Sequence, residues 1–454
     1  MNNHLKIAII GDPNKGKSSL VSTLAYDDNV KVSSKSGETS LSKSFPLRID
    51  DEIIYELYDT PGFDNYEVLL DFIDDNEDKY SDFNALLEAF IKEYKNDNDF
   101  KKDIEIYKVL LQKPIIIYLI NSSESYRIEY QSQIDIIAKT KLPAFAVFNQ
   151  IGIQNNKHTW ESTVKTFFID SFEYNVLQSS FDDKISLLDN IKHKINNTKI
   201  EKQIDNAISI LEEDFQRRLK FTFEELVDSF YKIITYKKEF SYSKDNEKQE
   251  NEYFIDIKRQ EEKFYTIVEK EWGFYNLDKD IEKIKKIKID SKSFTRIFGL
   301  SKSVIISISS AIGAVSGGSL GFSLDLVSSF GSMGMGTILG SGIGAITGGV
   351  SSLIGTELIN KKTKRFGVQK QTTYGPILDY NWRASLFTKL YVFAELMTKR
   401  SHANRSKFQN ENTAEKIFED NKRILKLAKE NTSKNKKELM NILDKTYKRR
   451  SAIS

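Results

Sequence analysis

The feature that most constrains this chain is Gly11-Asp12-Pro13-Asn14-Lys15-Gly16-Lys17-Ser18, a complete GxxxxGK[ST] pattern between an apolar strand, Leu5–Ile10, and a helical segment, Lys17–Leu24. Glycines at these places let consecutive backbone N–H groups and the start of the following helix face inward as a nest for phosphate oxygens. Lys17 is then placed to reach β- and γ-phosphates. Ser18, followed by Ser19, is placed to put its hydroxyl on Mg²⁺. The alternative, a chance glycine turn after a strand, does not account for the strand–loop–helix context.

A second box supports the first. The strand Ile53–Tyr58 ends in Asp59-Thr60-Pro61-Gly62, a DxxG pattern. A carboxylate at that strand end can hold Mg²⁺ through water, and Gly62 offers a backbone N–H where a γ-phosphate would lie. Thr39, in the polar segment 33–44 between the two boxes, is the hydroxyl expected to close over the metal. By itself it would read as ordinary solvated loop.

Around these boxes, apolar segments alternate with helical ones as far as about Ile195, which predicts an α/β domain with a mixed, mostly parallel sheet of six strands. The strands are expected at Leu5–Ile10, Phe45–Asp50, Ile53–Tyr58, Ile115–Ile120, Ala144–Phe148 and Tyr174–Leu177. The second and third, separated only by Asp51 and Glu52, should form a hairpin. Helices are expected at Lys17–Leu24, Asn84–Lys95, Trp160–Ile169 and Lys184–Ile195. Residues 64–111 are long for one connection but carry helical spacing, as in ALLEAFIKEY, and read as a helical insertion.

The order of P-loop, Thr-bearing loop, hairpin and DTPG resembles the translation-factor-related class of P-loop GTPases, and most of all its Era-like branch, over residues 4–195. The resemblance implies binding of GTP and GDP with Mg²⁺, and hydrolysis in which Lys17, Thr39 and Gly62 take part. In that branch the residue after DxxG is often hydrophobic instead of a water-orienting glutamine. Here it is Phe63, which implies slow intrinsic hydrolysis. Asn14 matches the asparagine that some Era-like and dynamin-like enzymes use to hold K⁺, an ion that can supply charge where an arginine finger otherwise would. The alternative is that Asn14 only stabilises the turn.

The base-recognition box departs from the family. Where [NT]KxD is expected after Ala144–Phe148, the chain has Asn149-Gln150-Ile151-Gly152. Asn149 is kept, but the lysine that packs along the base and the aspartate that reads guanine are both missing. An unpaired guanine edge loses on the order of 1–3 kcal/mol, so preference for guanine over adenine is open, with GTP the expectation from the family. Asp170 or Asp182 could stand in from neighbouring loops. Ser179-Ser180 falls where the family has its small-residue loop near the base, and fits equally as a cap for the helix that follows.

Beyond about Thr198 long charged helices follow, so residues 198–454 are expected to form an all-α C-terminal domain after the P-loop domain of residues 1–197. Within it, residues 303–356 hold 13 of the 22 glycines and one charge, Asp325. Two arms flank Asp325, Val304–Leu324 and Gly331–Ile354, each with glycines at every fourth position. The first would be about 31 Å long as a helix, close to a bilayer's hydrocarbon thickness. Two readings stay open: a hairpin that meets a membrane, or a tightly packed helical pair buried among neighbours. A basic helix is expected over 413–450, and residues 422–450 carry 11 Lys or Arg against 3 acidic residues, which suits anionic headgroups or simply a solvated face. Glycine-rich arms after a degenerate base box, with Thr398-Lys399-Arg400-Ser401-His402-Ala403 further on, look like a group of poorly characterised bacterial GTPases.

Composition narrows the rest. With 67 Lys and Arg against 65 Asp and Glu, nothing global points to nucleic acid, and zero cysteines exclude thiolate chemistry and disulfides. His4, His158, His193 and His402 have no paired ligand spacing. The first ten residues hold too short an apolar run for a signal sequence, so the expected setting is cytoplasmic, with a membrane surface through 303–356 and 422–450 and a second copy of the chain as further partners. The expectation overall is a nucleotide-dependent switch, against a soluble scaffold or an ATPase on the same fold.

Overall fold

The apolar runs before Ile195 are built into one sheet. In the computed structural model, residues 4–26, 41–151, 153–241, 246–275, 354–363, 367–377, 380–399 and 433–450 are described. Six strands, β1 (Leu5–Ile10), β2 (Lys43–Ile49), β3 (Glu52–Asp59), β4 (Ile115–Asn121), β5 (Ala144–Asn149) and β6 (Ser171–Glu173), lie in the order β2-β3-β1-β4-β5-β6. All neighbouring pairs are parallel except β2 with β3. The central strands β1, β4 and β5 read as near-continuous apolar runs because helices cover both faces. β2 is the exposed edge, where Pro46 costs no ladder bond in the interior of the sheet.

Residues of alternate parity point to opposite faces. Ala8, Ile10, Tyr118 and Ile120 join one core, covered by α2 (Tyr66–Asn76), α3 (Phe83–Tyr94), α4 (Lys101–Leu110), α5 (Glu129–Lys139) and α6 (Glu161–Phe167). Ile7, Ile9, Ile117 and Leu119 join the other, against α1 (Lys17–Ala25), α7 (Phe181–Lys194) and the first turns of α8 (Thr198–Thr235). The β2–β3 turn is made by Asp50 and Asp51, with φ of 48° and 65°. Two left-handed residues in succession match the twist of a tight hairpin, and short acidic side chains tolerate that region.

The last strand lies earlier than its apolar residues suggested, at Ser171–Glu173 and not Tyr174–Leu177. Tyr174 N still donates to Phe148 O at 3.0 Å, but Asn175 Oδ1 then accepts from the amides of Leu177 and Gln178, which turns the chain out of the ladder. Tyr174 and Val176 are buried as core residues without being strand.

The described chain divides into two compact units, with Arg217–Trp272 opening the second. The second unit corrects the expectation of an all-α region: it is largely helical but contains a three-stranded antiparallel sheet. Strand β7 (Lys238–Ser241) and β8 (Ile354–Thr363) flank β9 (Gly367–Ile377). β8 and β9 are neighbours in the chain but rich in Thr, Lys and Gln, so no apolar period announced them, and β7 pairs with β9 from far along the chain.

Among the described residues, helices α9 (Asn246–Glu271), α10 (Tyr380–Lys399) and α11 (Ser433–Arg450) also belong to the unit. Trp272 Nε1 donates to Thr222 Oγ1 at 2.8 Å, and Lys389 on α10 pairs with Glu261 on α9, both side chains nearly out of water. In the basic helix α11, Leu439 and Leu443 are fully buried, so its apolar stripe is spent inside the protein. The glycine-rich arms up to residue 353, Thr39 and residues 400–432 lie outside the described residues.

Candidate functional site

The site sits at the C-terminal edge of the sheet, where β1, β3 and β5 deliver their following residues to one place. The loop after β1 curls through Gly11 (φ 144°), Asn14 (φ 63°) and Gly16 (φ 94°), and Gly16 caps α1. A side chain at Gly16 is ruled out twice over: its φ is left-handed, and an added Cβ would lie 2.7 Å from Asn149 Nδ2. Gly62 is needed for space alone, since a Cβ there would stand 2.5 Å from Pro13 Cδ. The DTPG turn therefore lies directly against the phosphate loop. Thr60 fixes its height, donating from Oγ1 to Ile9 O at 2.7 Å.

Two charged groups at this junction are kept from water. Lys17 is 7% exposed and its Nζ donates to Gly11 O at 2.9 Å and Asp12 O at 2.8 Å. Burial pushes its pKa down to about 8, against the raising pull of Asp59 and Asp12. Asp59 is 3% exposed; its Oδ2 accepts from Ser18 Oγ at 2.7 Å, while Oδ1 is buried with no hydrogen-bond partner among the described residues. Burial raises the Asp59 carboxyl above its ordinary value, against the hydrogen bond from Ser18 and the charges of Lys17 and Lys43. Leaving such an oxygen unpaired costs roughly 1–3 kcal/mol, so the place is shaped for a partner that the described residues do not supply. A hard cation fits: hydroxyl and carboxylate oxygens are the donors Mg²⁺ takes, usually with waters between.

Asn149, 4% exposed, ties the base side to the phosphate loop. Its Nδ2 donates to Lys15 O at 3.1 Å and its Oδ1 accepts from Val176 N at 3.3 Å. Gln150 is turned elsewhere. Its Oε1 accepts from Ser122 Oγ at 2.5 Å, and its Nε2 donates to Ser123 Oγ at 3.3 Å and Gln154 O at 2.9 Å. Ser179 is buried and donates to Val176 O at 3.3 Å, while Ser180 caps α7 in a reciprocal box with Asp183. Asp170 precedes β6, at the opposite edge of the sheet, and is engaged by Lys194 at 2.9 Å, which removes it as a base reader. Asp182 is exposed in the first turn of α7. The ring of Phe63 is buried against Tyr66 and Tyr107, 6.2 and 6.4 Å between centroids, so it cannot orient water.

Sequence reasoning missed three residues here. Lys15, buried, is held by Glu124, whose carboxylate also accepts from Asn121 Nδ2 at 2.8 Å and Tyr130 OH at 3.2 Å. Burial pushes Glu124 up, but the bonds from Lys15 and Asn121 outweigh it and hold the carboxyl below its usual range. Gln133, on α5, donates to Asp12 Oδ1 at 2.7 Å. Asp103, on α4, accepts from the backbone of Asp64 and Asn65. Glu124 stands just past a strand's C-terminal end, a place that invites inspection in α/β proteins; the other two sit on helices with no motif around them.

Two family models match successive parts of the chain. A family model described as 50S ribosome-binding GTPase matches residues 6–150, and one described as a domain of unknown function, DUF3482, matches residues 166–453. No curated protein matches the chain. Among solved structures, Era in complex with MgGDPNP and a segment of 16S ribosomal RNA is 19% identical, covering 41% of this chain and 56% of its own, with a TM-score of 0.29. A variant of Aquifex aeolicus Era bound to GDP·AlF4⁻ is 18% identical, covering 42% and 57%, with a TM-score of 0.28. An S. thermophilus NFeoB variant bound to GDP·AlF4⁻ is 15% identical, covering 60% and 97%, with a TM-score of 0.24. This chain thus spans just over half the length of the two Era chains it matches.

Proposed function

We propose, from the premise that the chain belongs to the DUF3482 family and carries a P-loop GTPase domain ahead of that region, that it is a slow, Mg²⁺-dependent GTP switch whose helical part responds to the nucleotide. The observation that carries this reading is a pair of buried charges facing one junction: Lys17, which donates to two backbone carbonyls, and Asp59, whose Oδ1 has no hydrogen-bond partner among the described residues. A polyanion beside Lys17 and a hard cation beside Asp59 would answer both charges together. Magnesium, when bound, adds positive charge at the terminal phosphates; Ser18, Asp59 and, from outside the described residues, Thr39 are its proposed holders.

The chain's own groups do the remainder. Backbone N–H groups from Asn14 to Ser18 cradle phosphate oxygens, Lys17 turns from its two carbonyls onto the phosphates, and the Gly62 N–H faces the terminal group. With Phe63 buried, nothing described near the turn orients the attacking water, which is why hydrolysis is slow. Loss of the terminal phosphate removes the contact to Gly62, and the turn Asp59–Asn65 changes with it.

The pinned Gln150 favours weak purine discrimination within this reading, because its amide is committed to Ser122, Ser123 and Gln154 and does not lie along a base. Competition of GTP and ATP for a fluorescent nucleotide tests both points. Preference for GTP is expected to be roughly 10- to 100-fold, and Lys17→Ala to abolish binding of either; unchanged affinity in the Lys17 variant overturns the proposal.

Membrane contact is proposed through 303–356 and the basic face of 422–450, and is tested by co-sedimentation with anionic liposomes, where protein left in the supernatant counts against it. Among the described residues no helix is long and apolar enough to cross a membrane.

A further inference from the structure

The insertion between the DTPG turn and β4 makes its closest polar contacts with the two segments that flank the candidate phosphate and metal site. Asp103, on α4, is fully buried, and its two oxygens accept separately from Asp64 N and Asn65 N, each at 3.0 Å. Three further contacts fasten the same turn to the same stretch. Asn65 Nδ2 donates to Asp99 O at 2.7 Å, Lys102 Nζ pairs with Asp64 at 2.8 Å, and the buried ring of Phe63 packs on Tyr107. On its other side α4 receives the residue that leads into β2: Ser42 Oγ donates to Glu105 O at 3.1 Å. One helix of ten residues thus grips the turn that follows DxxG and the chain that returns from the Thr39 segment.

A buried carboxylate is costly, and burial raises the Asp103 carboxyl above its ordinary value despite the two amide bonds. A turn needing only to be packed could be closed by an apolar side chain at position 103. A carboxylate that takes two successive amides does something narrower, fixing the peptide planes of Asp64 and Asn65 and, through the preceding Phe63, the direction of the Gly62 N–H.

We propose that Asp103 is a positioning residue for the terminal phosphate: by clamping the Asp64 and Asn65 amides it aims Gly62 and makes α4 the element to which the nucleotide state is passed. This rests on the nucleotide reading above.

The test uses the full chain and measures affinity for GDP and for a non-hydrolysable GTP analogue, each with Mg²⁺. Asp103→Asn keeps the shape but offers one acceptor in place of two and sets an NH₂ against a backbone N–H. The expected result is GDP affinity within about threefold of wild type and a triphosphate-to-diphosphate preference reduced roughly tenfold. A role in packing alone would lower the thermal midpoint and leave that preference where it was, which overturns the inference. Asp103→Ser, which leaves one shorter acceptor in place of the two carboxylate oxygens, serves as the second variant if Asp103→Asn does not fold, and is expected to reduce the same preference about tenfold; no change there also overturns it. Wild-type protein that binds neither nucleotide overturns the nucleotide reading and this inference together, whereas wild type that binds both, with variants of unaltered preference, overturns this one alone.

Discussion

Raising the pH from 7 to about 9.5 should strip the site of its affinity for triphosphate, and the size of the loss follows from Lys17. Burial holds its pKa at about 8 in the unliganded protein. A polyanion alongside favours the ammonium form and raises the bound pKa back toward the ordinary 10.5. Binding is therefore at full strength below the unliganded value and weakens as pH rises through it, approaching tenfold per unit until the bound value is passed. At about pH 9.5 this amounts to roughly 30-fold, or about 2 kcal/mol.

The probe should be ATP competing with a fluorescent adenine nucleotide, since adenine has no group that titrates across this window and the terminal phosphate is already ionised above about pH 7. Stability has the opposite slope. Between about 8 and 10.5 the unfolded chain binds the Lys17 proton more tightly than the folded one, so the unliganded domain gains up to about 3 kcal/mol as pH rises across that window. Affinity that stays level to about pH 9.5 would refute the claim that a buried ammonium carries the phosphates.

Other outcomes follow from single contacts. Asn149→Ala removes the bonds to Lys15 O and from Val176 N, and should lower nucleotide affinity at least about tenfold by loosening the phosphate loop from the base side; isothermal titration with GDP decides this, and an unchanged constant speaks against the tie. Gly62→Ala forces the turn away from Pro13 Cδ, and should cut single-turnover hydrolysis by about 100-fold while GDP still binds. Asn14 stands exposed with φ 63°, and if its side chain holds K⁺ then hydrolysis should run faster in potassium than in sodium buffer; equal rates leave it a turn residue only.

The parts of this fold legible in the sequence are those whose cause is local. Leu5–Ile10, the P-loop and the DTPG turn declare themselves because apolar runs, glycines needed for φ or space, and a carboxylate at a strand end sit within a few residues of one another. The β2–β3 hairpin was legible from its acidic turn, though one residue off, since register follows the two left-handed aspartates. β6 was misplaced because burial and strand pairing part company at Asn175. Only its place just past β4 marks Glu124, and nothing local marks Gln133 or Asp103, whose meaning comes from what the fold sets across from them. The sheet of β7, β8 and β9 was invisible for a similar reason: Lys238–Ser241 is too short to read alone, and its partner lies far away in the chain.

The energetics of switching explain why a shared anchor matters here. Carrying a two-state element from 1:99 to 99:1 takes about 5.5 kcal/mol of differential binding. A hydrogen bond to a charged group contributes about 1.5–3 kcal/mol, so the Gly62 contact alone falls short. A second contact, made by the segment that ends at Ser42, brings the sum within range only if both act on one body. The helix α4 is bonded to both, at Glu105 from Ser42 and at Asp103 from Asp64 and Asn65, so their contributions can add where two independent loops would each shift only in part. It follows that Ser42→Ala and Asp103→Asn should couple. Their combined effect on the triphosphate preference should differ from the sum of the single effects by more than about 0.5 kcal/mol, and strict additivity would mean that the two segments respond separately.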